Sequence, residues 1–347
     1  MPKPEDRKLT PKENYLRILN GEMPEWAPMY TMGMPQPTDD PIPLAWTTPL
    51  IFNDPHPFGG TDLWGVNWVA GSNAANGAIL PEPNHFILED IGDWHDVVKA
   101  PDISDVDWED MCRKTMAANP VDRTQTALGL NLYIGTFQEF VGLMGFTEGL
   151  IAMIEEPEEV AELCKYMNDF YVEVGRQCMP YIQPDVIVMA DDTCSEKSPF
   201  MSEELFRQIL LPCYKHETET LAVPYGIPAQ FHNCGACTHY IEICHEEAHI
   251  SAWDPAQTMN DLEGFKQKWG REIAILGGFD ARDELADPDC SDEVVIEGTR
   301  ASFDKYAPDG GYAFYAEFIG PRDDPRVAHK NDVMWREALD YGNKFYD

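Results

Sequence analysis

His232 and Cys234, which are residue types that commonly bind metal ions, lie two positions apart in the sequence PAQFHNC (228–234). In an extended segment, side chains two residues apart point to the same side, so this imidazole and this thiolate can face one ion. Imidazole and thiolate are typical zinc ligands, and the spacing therefore predicts a zinc site. Cys237 completes a C-x-x-C pattern, but no thioredoxin-like sequence surrounds it, and we expect it to begin the next helix.

A second pattern in the sequence competes for the metal. The segment HEEAH (245–249) matches H-E-x-x-H, in which two histidines one helical turn apart bind zinc and the glutamate is the base of a peptidase. That arrangement requires a helix running through both histidines, whereas His249 begins the β-rich run HISAWD (249–254). The peptidase pattern is therefore disfavoured, and a zinc peptidase stays open as an alternative function.

Several other β-rich runs of the sequence have an aspartate or glutamate at or near their carboxyl end. The polar residues at the ends of these runs are Asp191, Asp192, His232, Cys234, Asp254, Asp280 and Glu317. If the runs are strands of one parallel barrel, these side chains converge at one end and favour a metal site or an acid–base site. An aspartate at a strand end can also cap the following helix, and this alternative stays open for Asp254 and Asp280.

The elements that would position these residues alternate along the chain. From about residue 125 onward, short β-rich runs are followed by longer segments of helical periodicity, which is typical of a parallel sheet. The runs are ALGLNLYIG (127–135), DVIVMADD (185–192), PAQFHNC (228–234), HISAWD (249–254), IAILGGFD (273–280) and GYAFYAEF (311–318). With PEWAPMYTM (24–32) and one strand hidden in the N-terminal third, the strands number about eight. We therefore predict an α/β fold, a (β/α)8 TIM-type barrel, with an open doubly wound sheet as the alternative.

Residues 33–100 do not fit this alternation, because they are rich in proline, glycine and aromatic residues. A loop of this length inside a compact domain is usually functional. We predict a single barrel domain over residues 1–347, in which this insertion covers the barrel mouth as a lid. The aromatic residues expected to line the substrate cavity are Trp46, Phe58, Trp64 and Trp68. The alternative is a hairpin packed on the side of the barrel.

The composition excludes several classes of partner. The 347 residues include 25 Lys and Arg against 61 Asp and Glu, and the formal net charge of −36 repels nucleic acid and anionic lipid surfaces. No apolar run approaches the roughly 18 residues of a membrane span, and the N-terminus has no apolar signal-peptide core. The nine cysteines lack the dense spacing of a secreted scaffold. These features predict a cytoplasmic protein with reduced thiols that binds neither nucleic acid nor membrane.

The sequence resembles the uroporphyrinogen decarboxylase superfamily along almost its whole length. The similarity includes TPKENYLRILNGEMPEWAP and MADDTCSEKSPFMSEELFRQILLPCYK, and it is most specific in FHNCG and ISAWDPAQTMNDLEGFKQKWGREIAILGGFDA. The resemblance implies the same (β/α)8 barrel. Decarboxylases of this superfamily hold their substrate's carboxylates with an Arg-Gln-Ala-Gly-Arg segment, whereas the corresponding stretch here, PMYTMGMPQPTDD, has no arginine. Decarboxylation is therefore disfavoured and stays an alternative function.

The other branch of this superfamily consists of cobalamin-dependent methyltransferases, which hold zinc through a His-x-Cys and a third ligand near the last strand. The resemblance implies that His232 and Cys234 bind zinc and that Glu317, which stands where the family has a cysteine, is the third ligand. It implies methyl transfer between a corrinoid (cobalamin) on a separate corrinoid protein and a small-molecule substrate, either a thiol or a methoxy or methanol-type compound. Asp191 or Asp192 would be the catalytic carboxylate that takes or gives the proton.

Overall fold

The computed structural model describes residues 7–52, 59–70, 79–132, 135–287, 289–320 and 324–346. The strands in chain order are β1 (Leu44–Thr47), β2 (Gly60–Thr61), β3 (Asn67–Ala70), β4 (Ile79–Pro81), β5 (Ala127–Asn131), β6 (Val186–Ala190), β7 (Ala229–His232), β8 (Ile250–Ala256), β9 (Ala274–Gly278) and β10 (Tyr312–Tyr315). Most of these strands are short and buried, as expected for the inner layer of a barrel surrounded by helices.

In the described part of the chain, seven strands form one parallel sheet in the order β1-β5-β6-β7-β8-β9-β10. The eighth place of the barrel belongs to the segment around Met29, which forms a parallel bridge to Phe314 of β10. The N–H of Tyr30 donates to the Phe314 oxygen at 2.7 Å, and the N–H of Phe314 donates to the Pro28 oxygen at 2.9 Å. The predicted (β/α)8 barrel is therefore confirmed, and β1 is its hidden strand.

Helices follow the barrel strands and cover the outside of the sheet. They are α1 (Pro11–Leu19), α2 (Trp94–Val97), α3 (Trp108–Ala118), α4 (Thr136–Met144), α5 (Phe146–Glu155), α6 (Pro157–Ile182), α7 (Glu203–Leu205), α8 (Leu211–Leu221), α9 (Thr238–Ala248), α10 (Leu262–Trp269), α11 (Asp292–Tyr306) and α12 (Pro325–Gly342). Among the helices described, none by itself has the length and apolar character of a membrane span. The pair α4 and α5 passes that test together by length and composition, but its two halves are bent by 106°.

The interior of the barrel is an apolar core that α1 closes at the end where the strands begin. Its members are Leu44, Ala127, Val186, Val188, Ala252, Ala274, Leu276 and Ala313 from the strands, with Tyr15, Ile18, Leu19 and Tyr30. The start of α1 is fixed by Lys12, whose N–H donates to the Gln125 oxygen at 2.8 Å and whose ammonium lies 2.7 Å from Asp185 Oδ1. The carboxyl ends of the strands, at the opposite end, carry the predicted site residues.

The segment 33–100 contributes to two different sheets. Its β1 is a barrel strand beside β5, with Trp46 in register with Gly129. The strands β2, β3 and β4 form a separate antiparallel sheet. Within segment 33–100, residues 44–47 thus belong to the barrel sheet, and an insertion over the rest of the segment stays a prediction.

The aromatic residues of this segment fall into two groups. Trp64 packs against α6, where its indole N–H donates to Tyr171 Oη at 2.8 Å. Trp68 lies against α4. Trp46 instead reaches the carboxyl end of β7, as shown below, and Phe58 lies outside the described residues. Trp64 and Trp68 therefore lie against helices that flank the barrel, and a lid over the mouth stays a prediction.

Candidate metal centre

A cluster of three ligand-bearing side chains lies at the carboxyl ends of β6 and β7. His232 Nε2 lies 3.7 Å from Cys234 Sγ, and the ligand atoms of these two residues and of Asp192 all lie within 4.8 Å of one another. The register explains this proximity: Ala190 of β6 pairs with His232 of β7, and Asp192 and Cys234 each follow two residues later. Nitrogen, sulfur and oxygen donors from three residues suit a zinc ion that keeps a fourth position open.

Hydrogen bonds between the two loops hold this cluster in place. The N–H of Cys234 donates to Asp192 Oδ1 at 2.9 Å, and the buried Asn233 Nδ2 donates to Thr193 Oγ1 at 2.9 Å. Gly235 has φ +93°, and a Cβ there would lie 2.6 Å from two carbonyl oxygens of the loop after β6. The glycine in FHNCG therefore allows the two loops to approach closely behind the cysteine.

A buried carboxylate on the next strand orients the histidine. Asp254 of β8 is completely buried, and its Oδ2 lies 2.9 Å from His232 Nδ1. The two residues are paired in the β7–β8 register. A carboxylate at Nδ1 keeps the proton on that nitrogen and leaves the Nε2 lone pair for a metal. The sequence suggested Asp254 as a strand-end residue or helix cap, and this orienting role was missed because it depends on the register.

The electrostatics of the metal-free cluster favour protons on both ligands. Burial acts to lower the pKa of His232, but the hydrogen bond and charge of Asp254, together with Cys234, raise it well above its ordinary value. Burial raises the pKa of the Cys234 thiol, and the neighbouring His232 offsets this only in part. A divalent cation must displace these protons, so its binding would depend on pH.

Asp191, predicted as a catalytic residue, lies beneath the cluster. It is completely buried, and it accepts hydrogen bonds from the backbone N–H groups of Phe137 at 2.8 Å and Gln138 at 3.1 Å and from Tyr214 Oη at 2.7 Å. Burial raises its pKa to about 7 despite these bonds. Asp191 therefore holds the start of α4, while the adjacent Asp192 joins the cluster, because successive side chains after a strand point to opposite sides.

Glu317, predicted as the third ligand, follows β10 at the same end of the barrel. Its carboxyl is half-buried, and this burial raises its pKa. Burial also raises the pKa of the neighbouring Tyr315, and the charges of Glu317, Asp254 and Cys234 act in the same direction. In the described cluster, however, the third ligand atom comes from Asp192 and not from Glu317.

The competing H-E-x-x-H pattern does not form the arrangement that zinc peptidases use. Helix α9 ends at Ala248, and His249 is the left-handed cap that follows it, with φ +57°. His245 Nδ1 lies 2.6 Å from the Ile250 oxygen. The two histidines are therefore not on consecutive turns of one helix, and the metal site of a peptidase is not assembled there.

Trp46 supplies an aromatic wall beside the cluster. Its ring packs edge-on against the His232 imidazole, with the ring centroids 6.5 Å apart. The indole N–H is buried and has no hydrogen-bond partner among the residues that the structure describes. Of the aromatic residues predicted for the substrate cavity, Trp46 thus lies next to the candidate ligands.

A cavity of about 1070 Å³ lies at the other end of the barrel, where the strands begin. Its lining includes His245, Lys266 and Arg271. The ammonium of Lys266 donates to the Tyr306 oxygen at 2.7 Å and to the Gly310 oxygen at 2.6 Å. This lysine therefore connects α10 with the end of α11 and with the turn that precedes β10. Apart from His245 of the H-E-x-x-H pattern, no predicted site residue lines this cavity among those described, and the residues of the metal cluster are not part of its lining.

Comparison with known proteins identifies a family whose model matches the sequence and a solved structure with a similar fold. The model of the family uroporphyrinogen decarboxylase (URO-D) matches residues 134–315, just over half of the chain. Among solved structures, a methyltransferase from Methanosarcina mazei is similar, with a TM-score of 0.59 and 12% sequence identity over 96% of this chain and 99% of that one. At this identity, the similarity concerns the fold. No curated protein matches the sequence.

Proposed function

The chain belongs to the uroporphyrinogen decarboxylase (URO-D) family, and within this family we propose that it is a zinc-dependent methyltransferase. In the proposed reaction, a methyl group passes between a corrinoid on a separate corrinoid protein and a small thiol or a methoxy or methanol-type substrate. The observation that carries the proposal is the cluster of His232, Cys234 and Asp192 at the carboxyl ends of neighbouring strands. The fold shared with a methyltransferase from Methanosarcina mazei is consistent with it.

The same site argues against decarboxylation of a polycarboxylate. The stretch PMYTMGMPQPTDD, where decarboxylases have arginines, contains none. Carboxylates of this chain lie at or beside the cluster instead, and Asp254 is completely buried there. A substrate with many negative charges would be repelled by these groups, because no guanidinium of that stretch compensates them.

In the proposed mechanism, the residues of the chain act mainly by holding and orienting groups. Zinc, when bound, would lower the pKa of a substrate thiol or polarise a methoxy oxygen. His232, Cys234 and Asp192 would hold the ion, and Asp254 keeps the His232 proton on Nδ1. Trp46 excludes water from one side of the histidine.

The proton of the reaction needs a carrier outside the ligand set. Asp192 would be occupied as a ligand, and Asp191 is buried against the start of α4. Glu317 is half-buried at the same end of the barrel, and this burial raises its pKa above the ordinary glutamate value, which favours its use as a proton donor and acceptor. We therefore assign the proton transfer to Glu317 in this proposal.

Metal analysis and a methyl-transfer assay test the proposed function together. We expect about one zinc per chain, and we expect methyl transfer between methylcobalamin and at least one member of a panel of thiols and methyl ethers. Cys234→Ser should remove most of the zinc and the activity. Cys112→Ser, at a buried cysteine on helix α3 outside the described cluster, is the matched control and should change neither.

Two results would contradict the proposal. If His245→Ala removes the metal while Cys234→Ser retains it, the cluster is not the metal site. If the zinc-loaded protein transfers no methyl group to or from any compound of the panel, the assigned reaction is wrong even where the metal site stands.

A further inference from the structure

The hydrogen bonds behind His232 continue through the barrel interior to the N-terminal helix. Tyr15 Oη of α1 donates to Gln230 Oε1 at 2.6 Å. Gln230 Nε2 donates to Asp254 Oδ1 at 2.7 Å, and His232 Nδ1 lies 2.9 Å from Asp254 Oδ2. Three consecutive contacts therefore connect a helix at one end of the barrel with a candidate metal ligand at the other.

The chemistry of these groups allows one arrangement of their protons. A phenol donates to the amide oxygen of Gln230, so the NH2 group of that amide faces Asp254. The carboxylate can only accept, so both Gln230 and His232 donate to it. Burial, and then the charge of Asp254, raise the pKa of Tyr15 well above its ordinary value, so its hydroxyl keeps its proton. Each of the three contacts in the series therefore pairs a donor with an acceptor.

Burial makes this series sensitive to any lost member. Tyr15, Gln230 and Asp254 are completely buried, whereas His232 is partly exposed at the mouth. Inside a protein, hydrogen bonds are strengthened by the low dielectric, and a polar group left without its partner is correspondingly costly. Without the phenol, the buried oxygen of the Gln230 amide would lose the donor that helps to fix the orientation of this side chain.

We propose that Tyr15 and Gln230 are positioning residues of the metal centre, holding the Asp254 carboxylate in the orientation that presents His232 Nε2 to the ion. This inference rests on the metal site of the proposed function but not on methyl transfer. It assigns to α1, which has no residue at the barrel mouth, a part in metal binding. The ligand class concerned is a divalent ion that accepts imidazole, thiolate and carboxylate donors.

The test compares two tyrosine-to-phenylalanine variants of the full chain. Tyr15→Phe removes the first donor of the series. Tyr312→Phe is the matched control, since that tyrosine is also completely buried in a barrel strand but donates to the Gly277 oxygen at 3.1 Å, outside the series. Cobalt(II) is the probe, because its visible absorption reports the geometry of its ligands, and its affinity is measured by competition with a chelator.

We expect Tyr15→Phe to weaken cobalt(II) binding about three- to tenfold and to change the visible spectrum of the bound ion, a smaller loss than for groups bonded directly to a ligand, because Tyr15 acts through Gln230 and Asp254. Tyr312→Phe should bind cobalt(II) like the parent. Gln230→Met removes the hydrogen bonds to both Tyr15 and Asp254 and should weaken cobalt(II) binding by about 10- to 100-fold. This second variant keeps the test valid if Tyr15→Phe does not fold.

The outcomes separate this inference from the proposed function. Equal cobalt(II) affinity and equal spectra in the parent, Tyr15→Phe and Gln230→Met would overturn the inference and leave the metal site intact. Weakened binding in these two variants of a protein that transfers no methyl group would support the inference while the proposed reaction fails. A parent that binds no cobalt(II) through Cys234 would overturn both.

Discussion

The roles of Asp192 and Glu317 at the metal centre can be separated by amide substitutions. Asp192→Asn keeps an oxygen to accept the Cys234 N–H but removes the anionic ligand, so we expect zinc affinity to fall at least about tenfold. Glu317→Gln should leave zinc affinity near that of the parent and lower the rate of methyl transfer, because it removes a proton carrier. Chelator competition measures the first effect and the transfer assay the second.

The opposite pattern would restore the ligand set predicted from the sequence. If Glu317→Gln loses zinc while Asp192→Asn keeps it, the carboxylate of Glu317 moves to the ion when the metal binds. The sequence alone favoured Glu317 because it stands where the resemblance places a third ligand. The structure favours Asp192 because its loop is hydrogen-bonded to that of Cys234.

A glycine substitution tests how closely the loop behind Cys234 must approach its neighbour. Gly235→Ala adds a Cβ that would lie 2.6 Å from two carbonyl oxygens, at a positive φ, so we expect the free energy of unfolding to fall by more than about 2 kcal/mol and zinc affinity to fall with it. Gly226→Ala is the control, since its φ is also positive but its Cβ meets nothing within 4 Å. Denaturant unfolding measures the free energy of unfolding of the two variants, and chelator competition measures their zinc affinity. Equal losses of stability in Gly235→Ala and Gly226→Ala would show that the close approach of the two loops is unimportant.

The site residues that could be predicted from the sequence are those whose role depends on local spacing, and the others depend on side-chain direction or strand register. His232 and Cys234 followed from a spacing of two in an extended segment, which is a local property. Asp191 and Asp192 are adjacent, and only the direction of each side chain decides which one caps α4 and which one joins the cluster. The role of Asp254 needed the β7–β8 register, which no local pattern contains.

At the scale of elements, helix α8 carries a buried carboxyl that makes stability depend on pH. Burial, with the charge of Asp191, raises the pKa of Glu217 to about 8. Between the ordinary glutamate value of 4.5 and 8, the folded protein keeps a proton that the unfolded chain has lost. The free energy of unfolding therefore falls as pH rises through this window, by up to about 1.4 kcal/mol per pH unit from this group.

Glu217→Gln removes this dependence. We expect the variant to lose less stability than the parent between about pH 5 and about pH 8 and to be the more stable of the two at the upper end. Urea unfolding at several pH values measures the difference. Glu219→Gln, at an exposed position of the same helix, serves as the control. A parent-like pH profile in Glu217→Gln would show that this carboxyl is not protonated in the folded state.

The element that was hardest to predict is β1. Its four residues, Leu44–Thr47, are too few to show a period, and the segment around them is rich in proline, glycine and aromatic residues. The strand exists because Leu44 completes the inner core and because β5 offers a parallel partner. Both reasons are tertiary, whereas the longer alternation from β5 to β10 is visible in the sequence itself.

At the scale of the whole molecule, the net charge of −36 predicts a response to salt. Like charges repel across the folded surface more strongly than in the expanded chain, so screening should stabilise the fold. We expect Tm to rise as monovalent salt increases from about 0.01 M to about 0.15 M, over which the Debye length falls from about 30 Å to about 8 Å. Chloride and acetate salts of equal ionic strength should give similar rises; a fall in Tm would mean that the surface ion pairs outweigh the repulsion.

The closure of the barrel by α1 has a consequence for the order in which reactants arrive. Tyr15, Ile18 and Leu19 are buried at the end where the strands begin, so, within the described part of the chain, a molecule is expected to reach His232 and Cys234 from the opposite end of the barrel. In the proposed reaction, a small substrate and a bulky corrinoid protein would share that single approach. A docked corrinoid protein would obstruct the smaller molecule, so the substrate enters first, and initial rates should follow an ordered sequential pattern with a ternary complex instead of a ping-pong pattern.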